Sequence, residues 1–491
     1  MKSCKIALLG AFLLFGGSIL LWSQSTSIYR PAADSMPFLA ENVTAVQQRL
    51  QRDLRAMPRT NKKTVGQEYK RRTEGLVKEL NRLEYLSDAG WVNYFNGILA
   101  EIYRHNPEIP AQDIRLLLGR YESANATNIG EGTIVFHLGL LPFLDNESEV
   151  AAILCHELAH YQANHSNNFI QEYYDFLYSE ETQDKLAEIS KTGYDKSARA
   201  LEIMKGMMYD NHRHGRYKES DADSLGLIYL KKTRYNPRSC ITALQKLDKL
   251  DSIVWPVIPY KTLFDAPQFP FKDAWLAAPK TSILAAAPKE IEEEGEEEWN
   301  ADSLKTHPDC TNRILALQKQ LGTEPSAGVL HLSPADQFKT LQQNTPYELI
   351  EGLMITGEYG RSLFRSLVLL TEKPDDIYLK SIVGISLYHL HHLQKNHQLR
   401  DVLPLPNAEF TPEYNRFLQF LNNLRLNDFG KMGYFYCINN LEPHKTEEYP
   451  ALALALSQKM LGQETEFQQK KDLFINTFPK SKFIAWLNTL K

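Results

Sequence analysis

Apolar residues recur at helical spacing along most of this chain, and the exceptions mark its joints. An unbroken apolar run, Ile6 to Leu21, comes first, and residues 26–40 then read as irregular. Helical periodicity follows from Val43 to Ala56 and from Val65 to Tyr85. The second stretch is laced with Lys, Arg and Glu around Leu76, Leu80, Leu83 and Leu86, the pattern of a solvated helix that packs on one side. Trp91 to Arg104 continues as a helix, and Asn106-Pro107 ends it. Between 112 and 137 the period shortens. Ile114–Leu118 and Thr133–His137 read as strands, separated by a polar stretch with Asn125, Asn128, Gly130 and Gly132. Gly139 to Leu144 then leads into a helix from Glu147 to His165, with Val150, Leu154, Leu158 and Tyr161 on its apolar stripe and acidic residues in its first turn. This order of strand, turn, strand and helix puts an edge strand beside that helix.

Residues 166–211 and 216–232 predict further helices. Periodicity is lost from 253 to 300, where Pro256, Pro259, Pro267, Pro270, Pro279 and Pro288 stand among alanines and aromatics. This insert ends in Glu290–Glu298, seven glutamates in nine residues, which repel one another and stay solvated. It reads as a surface loop, either plain or lying as a lid over a cleft. From 330 onward the chain is helical in another style. Glu351 to Pro374 and Ala451 to Pro479 share a rhythm of small residues, aromatics and a closing proline that resembles tetratricopeptide repeats. The two prolines lie 105 residues apart, about three periods of the ~34-residue unit. The fold class is mainly α, with an α+β middle that holds a small sheet and a helical repeat domain after it.

Composition adds little until the N-terminus. With 491 residues, 43% hydrophobic and 23% charged, the chain has the make-up of a globular protein of two or three domains. Its net charge of −5 offers no basic footprint, so nucleic acid is not an expected partner. Lys2 and Lys5 precede the first apolar run, and Trp22-Ser-Gln-Ser-Thr26 follows it. That reads as a secretory signal peptide over residues 1–25, the alternative being an uncleaved N-terminal anchor. The run is short for a spanning helix, which needs about 20 residues, and no later segment is long and apolar enough. Cys4 precedes the run, so it is not placed as a lipid-modified cysteine at a cleavage point. The mature chain is expected to be exported and soluble. Cys155, Cys240, Cys310 and Cys437 are too sparse for a disulfide framework, and the sequence does not choose a pair.

Candidate chemistry sits on the 147–165 helix, in His156-Glu157-Leu158-Ala159-His160. At 3.6 residues per turn the two histidines project side by side, able to grip one Zn²⁺. Glu157 beside them is placed to take a proton from metal-bound water rather than to bind the metal. The plain alternative is an amphipathic helix holding two histidines by chance, so a third ligand has to be found. Glu219, 59 residues after His160, begins a helical pattern, with Asp223 one turn further on the same face. A carboxylate at Asp223 is suited to accept the free ring N–H of a zinc-bound histidine. Acidic residues at a helix start are also common because the helix dipole favours them.

The wider pattern resembles the HtpX and CAAX-prenyl-protease family of gluzincin metallopeptidases. H-E-x-x-H is followed some sixty residues later by Arg216-x-x-Glu219-x-x-Ala222-Asp223, similar to that family's R-x-x-E-x-x-A-D. Asn125-Ala126 with Gly130-Glu-Gly-Thr-Ile-Val-Phe-His-Leu-Gly-Leu-Leu141 resembles its N-A…G-G-x-I-x-V…G-L-L segment, and Thr306-His307-Pro308…Arg313-Ile314 resembles its S-H-P-x-x-x-x-R-I. The resemblance implies a zincin domain in which His156, His160 and Glu219 bind one Zn²⁺, Glu157 is the general base and Asp223 supports a ligand histidine. It also implies that His307 and Arg313 lie near the cleft, as stabilisers of the developing oxyanion. His307 could instead latch onto zinc in a resting state, and the segment could simply anchor a helix.

The multi-span helices of the family's membrane members are missing. What remains resembles its exported, periplasmic (BepA-like) subgroup. That divides the chain into signal peptide 1–25, helical segment 26–89, zinc peptidase domain 90–325 with the acidic insert at 253–300, and tetratricopeptide-like domain 330–491. The implied function is a zinc endopeptidase that cleaves protein substrates in the bacterial cell envelope, in quality control or outer-membrane protein assembly. Envelope-assembly proteins would dock on the repeats. The alternative is a zinc-stabilised adaptor whose protease centre is latched or inactive.

Overall fold

The computed structural model describes residues 28–59, 62–191, 217–249, 254–277, 310–322 and 327–490. The expected signal peptide, Arg216, the glutamate run and His307 lie outside the described residues.

Helix α1 spans Met36–Ala56, seven residues earlier than its apolar period suggests. Ser35 is the reason. Its hydroxyl accepts the N–H of Phe38 at 3.4 Å and Pro37 sits in the first turn, so the cap and not the stripe sets the start. Helix α2 covers Val65–Asn81 and stops short of the expected Tyr85. Leu83 takes φ 61°, and Tyr85–Leu86 becomes strand β1. Both residues are buried there and pair antiparallel with β2, a non-local gain that outweighs one more helical turn. Helix α3, Ala89–His105, is capped by the Asp88 carboxylate on the N–H groups of Gly90 and Trp91.

The sheet adds β2 (Arg115–Gly119), β3 (Ala126–Asn128) and β4 (Thr133–His137), in the order β1-β2-β4-β3. The two strands legible in the sequence, β2 and β4, lie side by side and parallel, Arg115 against Thr133 and Gly119 against His137. They are not a hairpin, because the polar stretch between them folds back as β3, antiparallel to β4 and at the sheet's edge.

Helix α4, Glu147–Gln162, is capped by the Asn146 side chain on Glu149 N–H and is buried on nearly every side. One face joins α3 and the sheet; the other meets helix α7 (217–232) and α8 (Ser239–Leu247) in one apolar core. Helices α5 (His165–Leu177) and α6 (Glu180–Lys191) follow α4 in the chain. After α8 come α9 (Tyr260–Phe264) and α10 (Cys310–Leu321).

The remaining helices are α11 (Ala335–Thr356), α12 (Tyr359–Glu372), α13 (Ile377–Lys395), α14 (Leu399–Val402), α15 (Pro412–Asn423), α16 (Leu426–Leu441), α17 (Glu448–Met460), α18 (Glu464–Thr477) and α19 (Ile484–Leu487). The two stretches with the small–aromatic–proline rhythm are both helical pairs. Gly357 (φ 82°) turns α11 into α12, and Gly462 (φ 71°) turns α17 into α18. Left-handed backbone at a helix end favours glycine, which has no Cβ to clash.

The two halves are not joined by a loose linker. Phe338, Leu341 and Leu349 of α11 belong to the core around α4, while its Tyr347 and Ile350 belong to the core of the later helices. Arg120, at the end of β2, is 1% exposed and reaches Asp34 at 3.0 Å and Glu348 of α11 at 3.1 Å. Tyr29 donates to the same Glu348 at 2.6 Å.

The reading of 253–300 as a surface loop needs correcting for its described part. Residues 254–277 hold only the short helix α9 and a 3-10 turn at Asp273–Leu276, but Ile258, Tyr260, Phe264, Phe271 and Trp275 are buried against the C-terminal helices. Their aromatic area is better covered by those helices than left in water. All four cysteines in the described residues are free thiols. Among the described residues no helix is long and apolar enough to cross a membrane.

Candidate metal centre

Helix α4 projects His156 and His160 from adjacent turns, bringing their Nε2 atoms to 3.0 Å. Helix α7 crosses α4 at Gly226, and the crossing is close. A Cβ at Gly226 would sit 3.1 Å from His156 Cα and N. Only glycine lets the two backbones approach that far without displacement. The approach delivers Glu219 and Asp223, from the preceding turns of α7, onto the histidines. Glu219 Oε1 lies 3.3 Å from His160 Nε2 and Oε2 lies 3.5 Å from His156 Nε2. Ligand atoms of His156, His160 and Glu219 all fall within 4.8 Å of one another.

The outer ring nitrogens are also held. Asp223 Oδ1 lies 3.0 Å from His156 Nδ1, and His165 Nδ1 lies 2.9 Å from His160 Nδ1. Burial holds the His165 ring down at about 4, so it is neutral and able to accept. With both Nδ1–H groups donating outward, the two Nε2 lone pairs and the Glu219 carboxylate face one another across a small space. Two imidazoles and a carboxylate are a donor set suited to Zn²⁺, and facing lone pairs need a cation between them. The cage acts the same way on protons. Burial alone would lower His156, yet its hydrogen bonds to Asp223 and Glu219 lift it to about 10. Burial likewise opposes the Glu219 charge, but the two histidines and Arg313 hold its carboxyl well below the usual range.

Arg313, on α10, closes the site from behind. Its Nε donates to Asp223 Oδ2 at 2.6 Å and its Nη2 to Oδ1 at 2.8 Å, while Nη1 lies 2.9 Å from Glu219 Oε2. Arg313 lies near the cleft, as expected, and lines the small pocket with His156 and Glu157. The guanidinium is buried and committed to the two carboxylates, where it fixes a ligand and the partner of another.

Glu157 is buried beside the ligands, its carboxyl pushed up by burial against the pull of His156 and His160. With His156, Ala126, Leu140, Leu227 and Leu244 it lines a small pocket of about 40 Å³. Its backbone C=O accepts from the Asn128 side chain at 3.2 Å, which ties α4 to β3. The register puts Thr127 opposite Val135. His137 and Ile129 donate to Asn125 and Thr133 on either side. Ala126 and Asn128 therefore turn their backbone groups to the open edge. Asn128 C=O is taken there by the Ser166 hydroxyl at 2.7 Å; Ala126 is itself buried and lines the small pocket beside His156 and Glu157.

Of the residues singled out in the sequence, His156, Glu157, His160, Glu219, Asp223 and Arg313 come together, and His307 lies outside the described residues. His165 was not among them. It is five residues past His160, and Asn164 at φ 56° breaks the helix so that the ring turns back onto His160. An asparagine directly before a histidine at a helix end was the available signal.

Residues 105–321 match the model of peptidase family M48, a metallopeptidase family to which this part of the chain is similar. The matched segment runs from the end of α3 to the end of α10 and contains every assembled site residue. No curated protein matches the chain.

Proposed function

We propose that the chain is a zinc-dependent endopeptidase of the gluzincin type, with polypeptides as substrates. The observation that carries this reading is the meeting of His156, His160 and Glu219, from two helices crossing at Gly226, directly beside Glu157. Zn²⁺ held by those three side chains would polarise a scissile carbonyl and lower the pKa of a bound water towards about 7.

The chain's own residues do the rest. Asp223 and His165 keep the two imidazoles in the tautomer whose Nε2 lone pairs face inward. Arg313 balances the charge of Glu219 and Asp223. Glu157, raised by burial, takes the proton of the attacking water on its carboxylate and returns it to the departing amine. The open edge at Ala126 lets a substrate backbone join the sheet as a further strand, which selects extended or unfolded chain. The outward edge and the apolar pocket both flank Glu157.

The biological setting is part of the proposal. The basic, then apolar, N-terminus supports export to the periplasm, and the C-terminal helices supply a surface on which client or envelope-assembly proteins dock. The resemblance to exported relatives adds quality control of outer-membrane protein assembly.

The test is degradation of reduced, carboxymethylated casein by the purified chain. Activity should vanish on chelation and return with stoichiometric zinc. Hydrolysis indifferent to chelation would overturn the reading.

A further inference from the structure

Between the metallopeptidase domain and the C-terminal helices lies a groove of about 950 Å³. That is near the upper end of ligand-pocket volumes, room for several side chains rather than one. Its lining is mainly apolar and aromatic: Trp255, Leu349, Phe364, Val368, Leu369 and Tyr414. The Phe364 ring meets Trp255 edge-on at 5.7 Å and Tyr414 at 4.9 Å.

Two features connect this groove to the metal centre. Glu122, Ser123 and Ala124 form its wall on the peptidase side, and the next residues of the chain lead into β3, whose open edge begins at Ala126. Leu247 at the end of α8 lines both the groove and the small pocket beside His156 and Glu157. Ala124 stands only two residues before Ala126, so a strand laid along the edge reaches the groove within a few residues of the bond near Glu157. The groove also takes an apolar guest without stranding the Glu122 charge, because Arg361 at 2.5 Å and Arg365 at 2.7 Å already hold that carboxylate.

We propose that this interdomain groove is an extended substrate subsite. It takes bulky apolar side chains of an unfolded polypeptide a few residues from the scissile bond, so that both domains grip one substrate. This rests on the peptidase reading for what happens at the metal, but not for binding. It makes the enzyme selective for long, unfolded, apolar chain, the kind a folded protein hides and a failed one exposes.

The experiment uses the full zinc-loaded chain and peptides from reduced casein. One form is short; one is extended on both sides with leucine and phenylalanine; a third carries serine at those extended positions. The long apolar form should show kcat/KM about tenfold above the short form, mostly through KM, as expected from burying one or two apolar side chains. The serine form should fall back to the short one. Val368→Glu and Leu369→Glu, at partly exposed groove positions, should bring the long-to-short ratio near one. The serine peptide tests the same point without altering the protein.

Fluorescence anisotropy with Glu157→Gln measures the same ratio as Kd, with no hydrolysis needed. A preference for the long apolar form in Kd, in a wild-type chain that never cuts, keeps the groove and overturns the peptidase reading. Equal Kd for short, long and serine forms overturns the groove, whether or not the chain cuts.

Discussion

Glu157→Gln is expected to retain zinc at the wild-type level while casein hydrolysis falls by about 10²–10⁴-fold, the usual worth of a positioned general base. Glutamine has nearly the size and shape of glutamate, and the metal-ligating atoms belong to His156, His160 and Glu219, so binding has no reason to change. What the amide lacks is a site for the proton of the attacking water. The α4–β3 tie is also preserved, because Asn128 bonds the Glu157 backbone and not its side chain. Metal analysis and the digestion rate on the same sample read both halves of this expectation. Loss of zinc with the activity would assign Glu157 to the metal, and unchanged hydrolysis would take the general-base role away from Glu157.

The second large effect concerns stability. Arg120→Ala is expected to cost about 3–5 kcal/mol, because it leaves Glu348 buried without its cation. Arg120 and Glu348 side chains are 1% and 0% exposed, and Arg120 also donates to the backbone C=O of Leu83 at 2.9 Å. These contacts bind the N-terminal segment, the sheet and α11 together, so the loss should lower the thermal transition of the whole chain.

The pH dependence has a definite sign. Burial pushes the Glu348 carboxyl above its ordinary range even with Arg120 in place. A carboxyl raised in the folded state binds more protons folded than unfolded, so its contribution to stability is greatest at low pH and declines as pH rises through the folded pKa. Removing Arg120 raises that carboxyl further, so the penalty should be smaller at mildly acidic than at mildly alkaline pH. Melting curves at both pH values check this. A pH-independent loss would place the cost in packing, and Arg120→Met with Glu348→Met should recover most of it.

How far the sequence could be read depended on distance along the chain. The side-by-side placement of His156 and His160 is local, a consequence of helical period alone. Glu219 and Asp223 share one helix face in the same way, but their arrival at the histidines depends on Gly226 at a crossing 70 residues from His156, which periodicity does not report. Strands β1 and β3 have two and three residues, too few to show a period, and they exist because β2 and β4 offer partners. Residues 254–277 were misread because proline suggests a loop. Their aromatics were the better guide, since Tyr260, Phe264 and Trp275 need cover that a solvated loop lacks. Arg313 was found by motif, but its partner Asp223 lies 90 residues away, so its role needed the fold.

The most direct test of the central claim is zinc per chain measured beside casein hydrolysis for the wild type and Glu219→Ala. The account expects about one zinc and clear hydrolysis in the wild type, the three-ligand count of a catalytic site. It expects Glu219→Ala to lose both together. A Glu219→Ala chain that keeps its zinc and its rate would contradict it, because the metal would then not be held where α4 and α7 cross.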